Sequence, residues 1–134
     1  MNSTDAAIYS KLSSDTALTS LLGGTMIYNY VLPRDAPLPA VVFWHISGVD
    51  ENETPRRSER LIYGVKGVAN TFYQAGQLAD RIDALLNQST LAVTGWGTSF
   101  WMARESEIAF VERDPAGRDI GHKGGEYAIR IAIP

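Results

Sequence analysis

The side chains with the widest chemical reach are scarce in this chain. It has only two histidines, His45 and His122, and no cysteine. The missing thiol removes disulfides, thiolate zinc sites, iron–sulfur clusters and cysteine nucleophiles together. His45 and Ser47 stand two apart in a β-branched, aromatic run, so a regular strand puts them on one face, where a Ser–His nucleophile could form. No GxSxG elbow accompanies them, and the plainer reading makes His45 a half-buried strand residue and His122 a turn residue.

Paired carboxylates are the next option. Glu105 and Glu107 share a strand face at this spacing, as do Glu112 and Asp114, but exposed strands carry such charges routinely. Asp50-Glu51-Asn52-Glu53 lacks the alternating order of an EF-hand loop, and neither histidine has a carboxylate at helical spacing, so no metal site is expected. Phosphate-binding signatures are absent too. Gly95-Trp96-Gly97 and Gly64 to Gly67 are fragments, and the GHKGG run from Gly121 to Gly125 reads as a turn opening the last strand. No catalytic residue and no cofactor is assigned.

The wider composition agrees with an ordinary folded chain. The 134 residues suit one domain spanning 1–134, with 45% apolar and 20% charged side chains and a net charge of −3. Burying about two-thirds of the unfolded surface supports a core without staples. The acidic balance disfavours a broad grip on nucleic-acid phosphates, and no glycine-aromatic pattern for RNA occurs. The N-terminal segment lacks the apolar run of a signal peptide, and no stretch is long and apolar enough to span a bilayer, so a soluble intracellular protein with no membrane partner is expected.

The elements follow from periodicity and punctuation. Thr4 or Asp5 starts a helix that breaks near Ser14, Ser13-Ser14-Asp15 offers a second cap, and the helical piece that follows ends at Gly23-Gly24. Met26 to Tyr28 is a short strand, and three prolines between Leu32 and Pro39 make an extended connector. Ala40 to Ile46 is a strand apolar on both faces. Residues 48–60 read as a long loop, or as a β-arm if the flanking strands extend into it. Leu61, Tyr63 and Val65 form one strand face, with Arg60, Ile62, Lys66 and Val68 on the other.

Thr71 caps the clearest helix, which runs to about Asn87, and residues 87–97 return to loop. Residues 99–104 and 107–113 form one bulged strand or two. Asp114 to Gly117 has the order of a type I turn. Tyr127, Ile129, Ile131 and Ile133 alternate with outward residues in the last strand. The fold class is therefore α+β, a mostly antiparallel sheet with two main helices packed on one face, in the order α-β-β-β-α-β-β.

Five segments in order carry a further likeness: ALTSLLGGTMIYNYVLP, PLPAVVFWHISG, YGVKGVANTFYQAGQLADRIDALLN, ERDPAGRD and HKGGEYAIRI. This series resembles the tail completion, or tail terminator, proteins of long-tailed bacteriophages and prophages. The resemblance implies a structural virion protein and not an enzyme, assembled as a hexameric ring on the last ring of the tail tube. There it ends tube growth and meets the head-side connector, while genome DNA passes through the lumen without specific binding.

The implied partners are copies of the same chain, the tail tube protein and the head–tail connector protein. The implied location is the neck-proximal end of the tail, reached from the host cytoplasm during assembly. Subunit contacts are expected at Trp44, Val49, Asp50, Glu51, Arg56, Arg57, Arg60 and Trp96, although the tryptophans could equally be core. Two alternatives stand beside this reading: another head–tail joining ring of the neck, and a small α+β enzyme or ligand-binding domain using the His45/Ser47 face.

Overall fold

A computed structural model of the chain describes residues 2–51 and 57–132. Helices α1 (Asn2–Ser13) and α2 (Thr16–Leu22) are followed by strands β1 (Ile27–Asn29), β2 (Ala40–Glu51) and β3 (Ser58–Ala69). Then come α3 (Phe72–Leu86), the short strands β4 (Ala92–Val93) and β5 (Gly97–Thr98), and the long strands β6 (Trp101–Arg113) and β7 (Asp119–Ala132). The main sheet has the order β1-β2-β3-β7-β6; β1 is parallel to β2 and every other pair is antiparallel. This is the expected α+β architecture, with α1 and α2 as the two pieces of the N-terminal helical segment.

Local chemistry sets the ends of α2 and the start of α3 where the sequence signals them, whereas α1 begins at Asn2, ahead of the Thr4 or Asp5 start expected for it. Asp15 caps α2 by accepting from the Leu18 N–H at 2.9 Å, and Gly23 closes the helix in the left-handed region at φ 74°. The same Asp15 carboxylate takes two hydrogen bonds from the Arg81 guanidinium, at 2.7 and 2.8 Å, tying α2 to α3. That guanidinium holds the Asp15 carboxyl below the usual carboxylate range. Thr71 Oγ1 accepts from Gln74 N–H at 3.1 Å to start α3, whose buried stripe is Ala75, Leu78, Ile82 and Leu86.

All three helices lie on one face of the sheet. Ile8, Leu12, Leu18, Leu78, Ile82 and Leu86 meet Val41, Phe43, Leu61, Val65, Ile129 and Ile131 in one core. Burying an aliphatic side chain of this size contributes about 1.5–3 kcal/mol, so this layer dominates stability. Two polar links cross it. Tyr63 donates its hydroxyl to Asp5 of α1, and Tyr127 donates to Asp83 of α3 at 3.0 Å. Burial, then the carboxylate acceptor, pushes both phenols well above the usual range, so they stay protonated donors.

Four expectations are corrected. Residues 87–97 are not all loop, because β4 and β5 pair there in a small hairpin. The GHKGG run does not open the last strand but lies inside it: β7 begins at Asp119, and His122 is 6% exposed within the sheet. Its glycines serve close packing there, since a Cβ on Gly121 would lie 2.9 Å from the Phe72 Cα.

The other two corrections come from β-bulges. The β2 register shifts between His45 and Ser47, and the β6 register shifts between Arg104 and Ser106. An extra residue in a strand reverses the alternation beyond it. His45 therefore faces the helices and stacks on Tyr63, with ring centroids 5.0 Å apart, whereas Ser47 pairs with Ile62 on the opposite face. Glu105 and Glu107 are separated in the same way. Glu105 pairs with Arg60 on the helix-free face, and Glu107 lies 3.7 Å from Arg104 on the helix side.

The closest helix–sheet approach is at Gly67. A Cβ there would lie 2.4 Å from the Leu78 Cβ, a contact that rotating the leucine side chain does not relieve. Gly67→Ala is expected to lift α3 off β3 and lower stability by about 1–3 kcal/mol. Urea denaturation would check this, and an unchanged midpoint would show that α3 sits further from the sheet.

Candidate subunit interface

The helix-free face of the sheet is built by alternate residues of four strands. They are Val42, Trp44, Ser47, Val49 and Glu51 of β2; Arg60, Ile62, Lys66 and Val68 of β3; His122, Glu126, Ala128 and Arg130 of β7; and Trp101, Ile108, Phe110 and Glu112 of β6. Gly64 makes room for the Trp44 ring, because a Cβ there would come within 2.4 Å of it. No helix covers this side among the described residues. The end of this face at Val68 and His122 is partly sheltered by the proline-rich connector, whose Leu32, Pro33 and Leu38 share a groove with those two residues.

The charged groups of this face are largely matched within the subunit. Arg60 pairs with Glu105, and Arg130 with Glu51 at 2.7 Å. Ser106 Oγ donates to Glu126 Oε1 at 3.0 Å. These side chains are partly exposed, and such pairs contribute about 0.2–1 kcal/mol each, so they organise the face more than they hold it. Lys66 sits between two rings, its Nζ 5.5 Å from the Trp44 centroid and 4.9 Å from that of Phe110. Burial lowers the Lys66 pKa, and the rings partly compensate the ammonium for lost water. Phe110 stacks on His122, with centroids 4.3 Å apart and planes at 11°.

Of the expected contact residues, the structure brings Trp44, Val49, Glu51 and Arg60 together on this face. Val49 is 60% exposed. Trp96 lies elsewhere, packed against the core beside the β4–β5 hairpin. Asp50 pairs with Glu59 through the backbone, Arg57 is exposed at the entrance to β3, and Arg56 lies outside the described residues. The strand ladder reaches Glu51 and restarts at Ser58, so much of the stretch expected as loop or arm is paired strand. Sequence reasoning missed Arg130, Phe110 and Lys66; the alternation in β3 and β7 marks the face of Lys66 and Arg130 but not their neighbours, and the bulge in β6 hides that of Phe110.

The bulge puts His45 and Ser47 on opposite faces, which removes the Ser–His pair. Among the described residues no cluster of three metal-ligating side chains occurs. An open groove of about 770 Å³ runs between α3 and β6, lined in part by Phe72, Tyr73, Asp80, Arg104, Glu107 and Lys123. Its charges are tied up structurally: Arg104 lies 3.4 Å from Asp83, and Lys123 Nζ lies 4.5 Å from the Phe72 ring centroid.

Comparison with known proteins adds three findings. A family model described as tail completion protein gp17 matches residues 6–120. The fold is similar to a chain in the virion of a native gene transfer agent particle, with TM-score 0.76, 18% identity, and 98% of this chain and 96% of that chain covered. It is also similar to the gp17 protein of bacteriophage SPP1, with TM-score 0.53, 19% identity, and 99% and 90% covered. No curated protein matches the sequence.

His122 gives this face a titration signature. Burial, with the nearby Lys66 charge, holds its pKa below the ordinary imidazole value, against a smaller opposing effect of Glu112, whose Oε1 lies 3.5 Å from Nε2. The unfolded chain then takes up this proton more readily than the folded one, so stability is full above about pH 6.5 and falls as pH drops from there toward the lower folded pKa. Thermal melts from pH 7 to pH 5 should show a steeper loss for the native protein than for His122→Phe. Parallel curves would show that the ring protonates freely in the folded state.

Proposed function

The chain belongs to the tail completion protein gp17 family, a family of structural virion proteins and not of enzymes, and on that premise we propose that it caps the tail tube of a phage-type particle. Copies form a ring, six in number, that seats on the last ring of the tube protein. The ring stops elongation and presents its other side to the head-side connector. Assembly takes place in the host cytoplasm and leaves the protein at the neck-proximal end of the tail.

The observation that carries this reading is the helix-free face, with Trp44, Val49 and Arg60 clustered on it. Its acids and bases are largely paired inside the subunit, so a partner can cover it without burying an unmatched charge. The apolar share is supplied by Val49 and by Trp44, Trp101 and Phe110, three aromatic side chains of the kind enriched in subunit contacts. The net charge of −3 supports a lumen through which DNA moves without sticking.

Light scattering after size exclusion, repeated with purified tail tubes and imaged by negative stain, tests the proposal. The expected outcome is a six-subunit ring, or density at one tube end, with tubes that no longer lengthen. A compact monomer that leaves tubes bare and growing would overturn it. Rings that bind the head-side connector and ignore tubes would favour a head–tail joining role instead.

A further inference from the structure

We infer that subunits join head to tail by strand pairing, the outer edge of β6 in one copy meeting the outer edge of β2 in a second copy, with Val49 opposite Phe110. The inference rests on the ring reading above and names the surfaces that would close the ring.

The last strand of the sheet is β6, and its outer side has no neighbouring strand among the described elements. In its first half one outward group is already bonded, because Asn87 Oδ1 accepts from the Arg104 N–H at 2.9 Å. Beyond the bulge, Ser106–Arg113 runs along the surface, with Phe110 44% and Val111 55% exposed. A long unpaired strand bearing exposed aromatic and β-branched residues is a hazard for a lone subunit and an asset for an assembling one.

The opposite side of the sheet has a matching vacancy. Strand β1 covers only Val41 to Phe43 of β2, and at Tyr30 the backbone turns into the left-handed region, φ 67°. From Trp44 to Glu51 no strand among the described residues pairs with the outer side of β2. Three antiparallel steps separate β2 from β6, so the two free edges run in opposite directions. A second copy placed alongside in the same orientation meets β6 with an antiparallel β2. Each copy has one edge of each kind on opposite sides of its sheet. The contact is therefore heterologous and repeats until a rotation closes it.

Side chains select the register. Ser47, Val49 and Glu51 point to the helix-free face, as do Ser106, Ile108, Phe110 and Glu112. With Val49 opposite Phe110, Ser47 falls opposite Glu112 and Glu51 opposite Ile108. This gives one apolar pair, one hydroxyl–carboxylate pair and no like-charge pair. Sliding two residues one way puts Val49 opposite Ile108 and leaves the exposed Phe110 ring opposite Ser47. Sliding the other way puts Val49 opposite Glu112 and Glu51 opposite Phe110.

The absence of native cysteine makes the test direct. Val49→Cys and Phe110→Cys are made separately, confirmed to melt with the native protein, mixed, assembled on tail tubes and oxidised. The expected result is a cross-linked dimer in the mixture and none from either variant alone. The double variant is expected to give a ladder of larger products. Cross-linking by Phe110→Cys alone would mean symmetric pairing of two β6 edges and would overturn the proposal. Tubes capped normally with no mixed product would also overturn it while leaving the capping function intact. Native protein that fails to cap tubes at all would overturn both.

Discussion

A five-stranded sheet has two faces to bury, and the described residues supply helices for only one. That imbalance is the constraint on which the rest of the structure depends. On the helical side, apolar side chains of α1, α2 and α3 close over Phe43, Leu61, Val65, Ile129 and Ile131 and supply most of the burial. On the other side the sheet makes do with rings and ion pairs: Trp44 and Phe110 around Lys66, Arg60 with Glu105, Arg130 with Glu51. Such contacts are individually small in water. They keep the face ordered and soluble while leaving it open to a partner.

The centre of the sheet is organised by one cross-strand row. His45, Tyr63, Tyr127 and Arg104 lie side by side in register, and the bulges in β2 and β6 fall at the two ends of this row. The tyrosines anchor it, each donating its hydroxyl through the helical layer to an aspartate. A bulge bends its strand and raises the local twist. Here one lies in β2, next to the short edge strand β1, and one in the edge strand β6, at either end of a row pinned at its middle. The bulges also decide which residues share a face, and so which could ever act together.

This arrangement bears on why the protein assembles rather than catalyses. The titratable groups near the sheet centre already have structural tasks. The Tyr63 and Tyr127 phenols donate to carboxylates, Asp15 caps a helix and holds Arg81, and Arg104 lies beside Asp83 and Glu107. A reactive site needs groups left free to change partners during a reaction. The face that remains unfilled is instead broad and aromatic, with most of its charges paired within the subunit, which suits contact with another folded surface. Membership of a tail completion family agrees with that chemistry.

Much of the fold was legible from residue order because the signals are local. Asp15 and Thr71 as caps, the Gly23 stop, the Asp114 to Gly117 turn and the alternation of β3 and β7 all act over a few neighbouring residues, and each lies where those signals place it. The five-segment likeness pointed to the family for the same reason, since it depends on the order of such elements. Tertiary structure alone decided what depends on contacts between distant segments. Gly121 and Gly124 look like turn residues in isolation, yet they lie inside a strand because α3 and β3 press too closely for a side chain. The faces of Ser47 and Glu105 depend on one inserted residue in each strand, and a bulge is set by cross-strand pairing that spacing within a single strand does not reveal. Trp44 and Trp96 are alike as residues, but one lies on the helix-free face and the other against the core, because partners far along the chain determine what covers each ring.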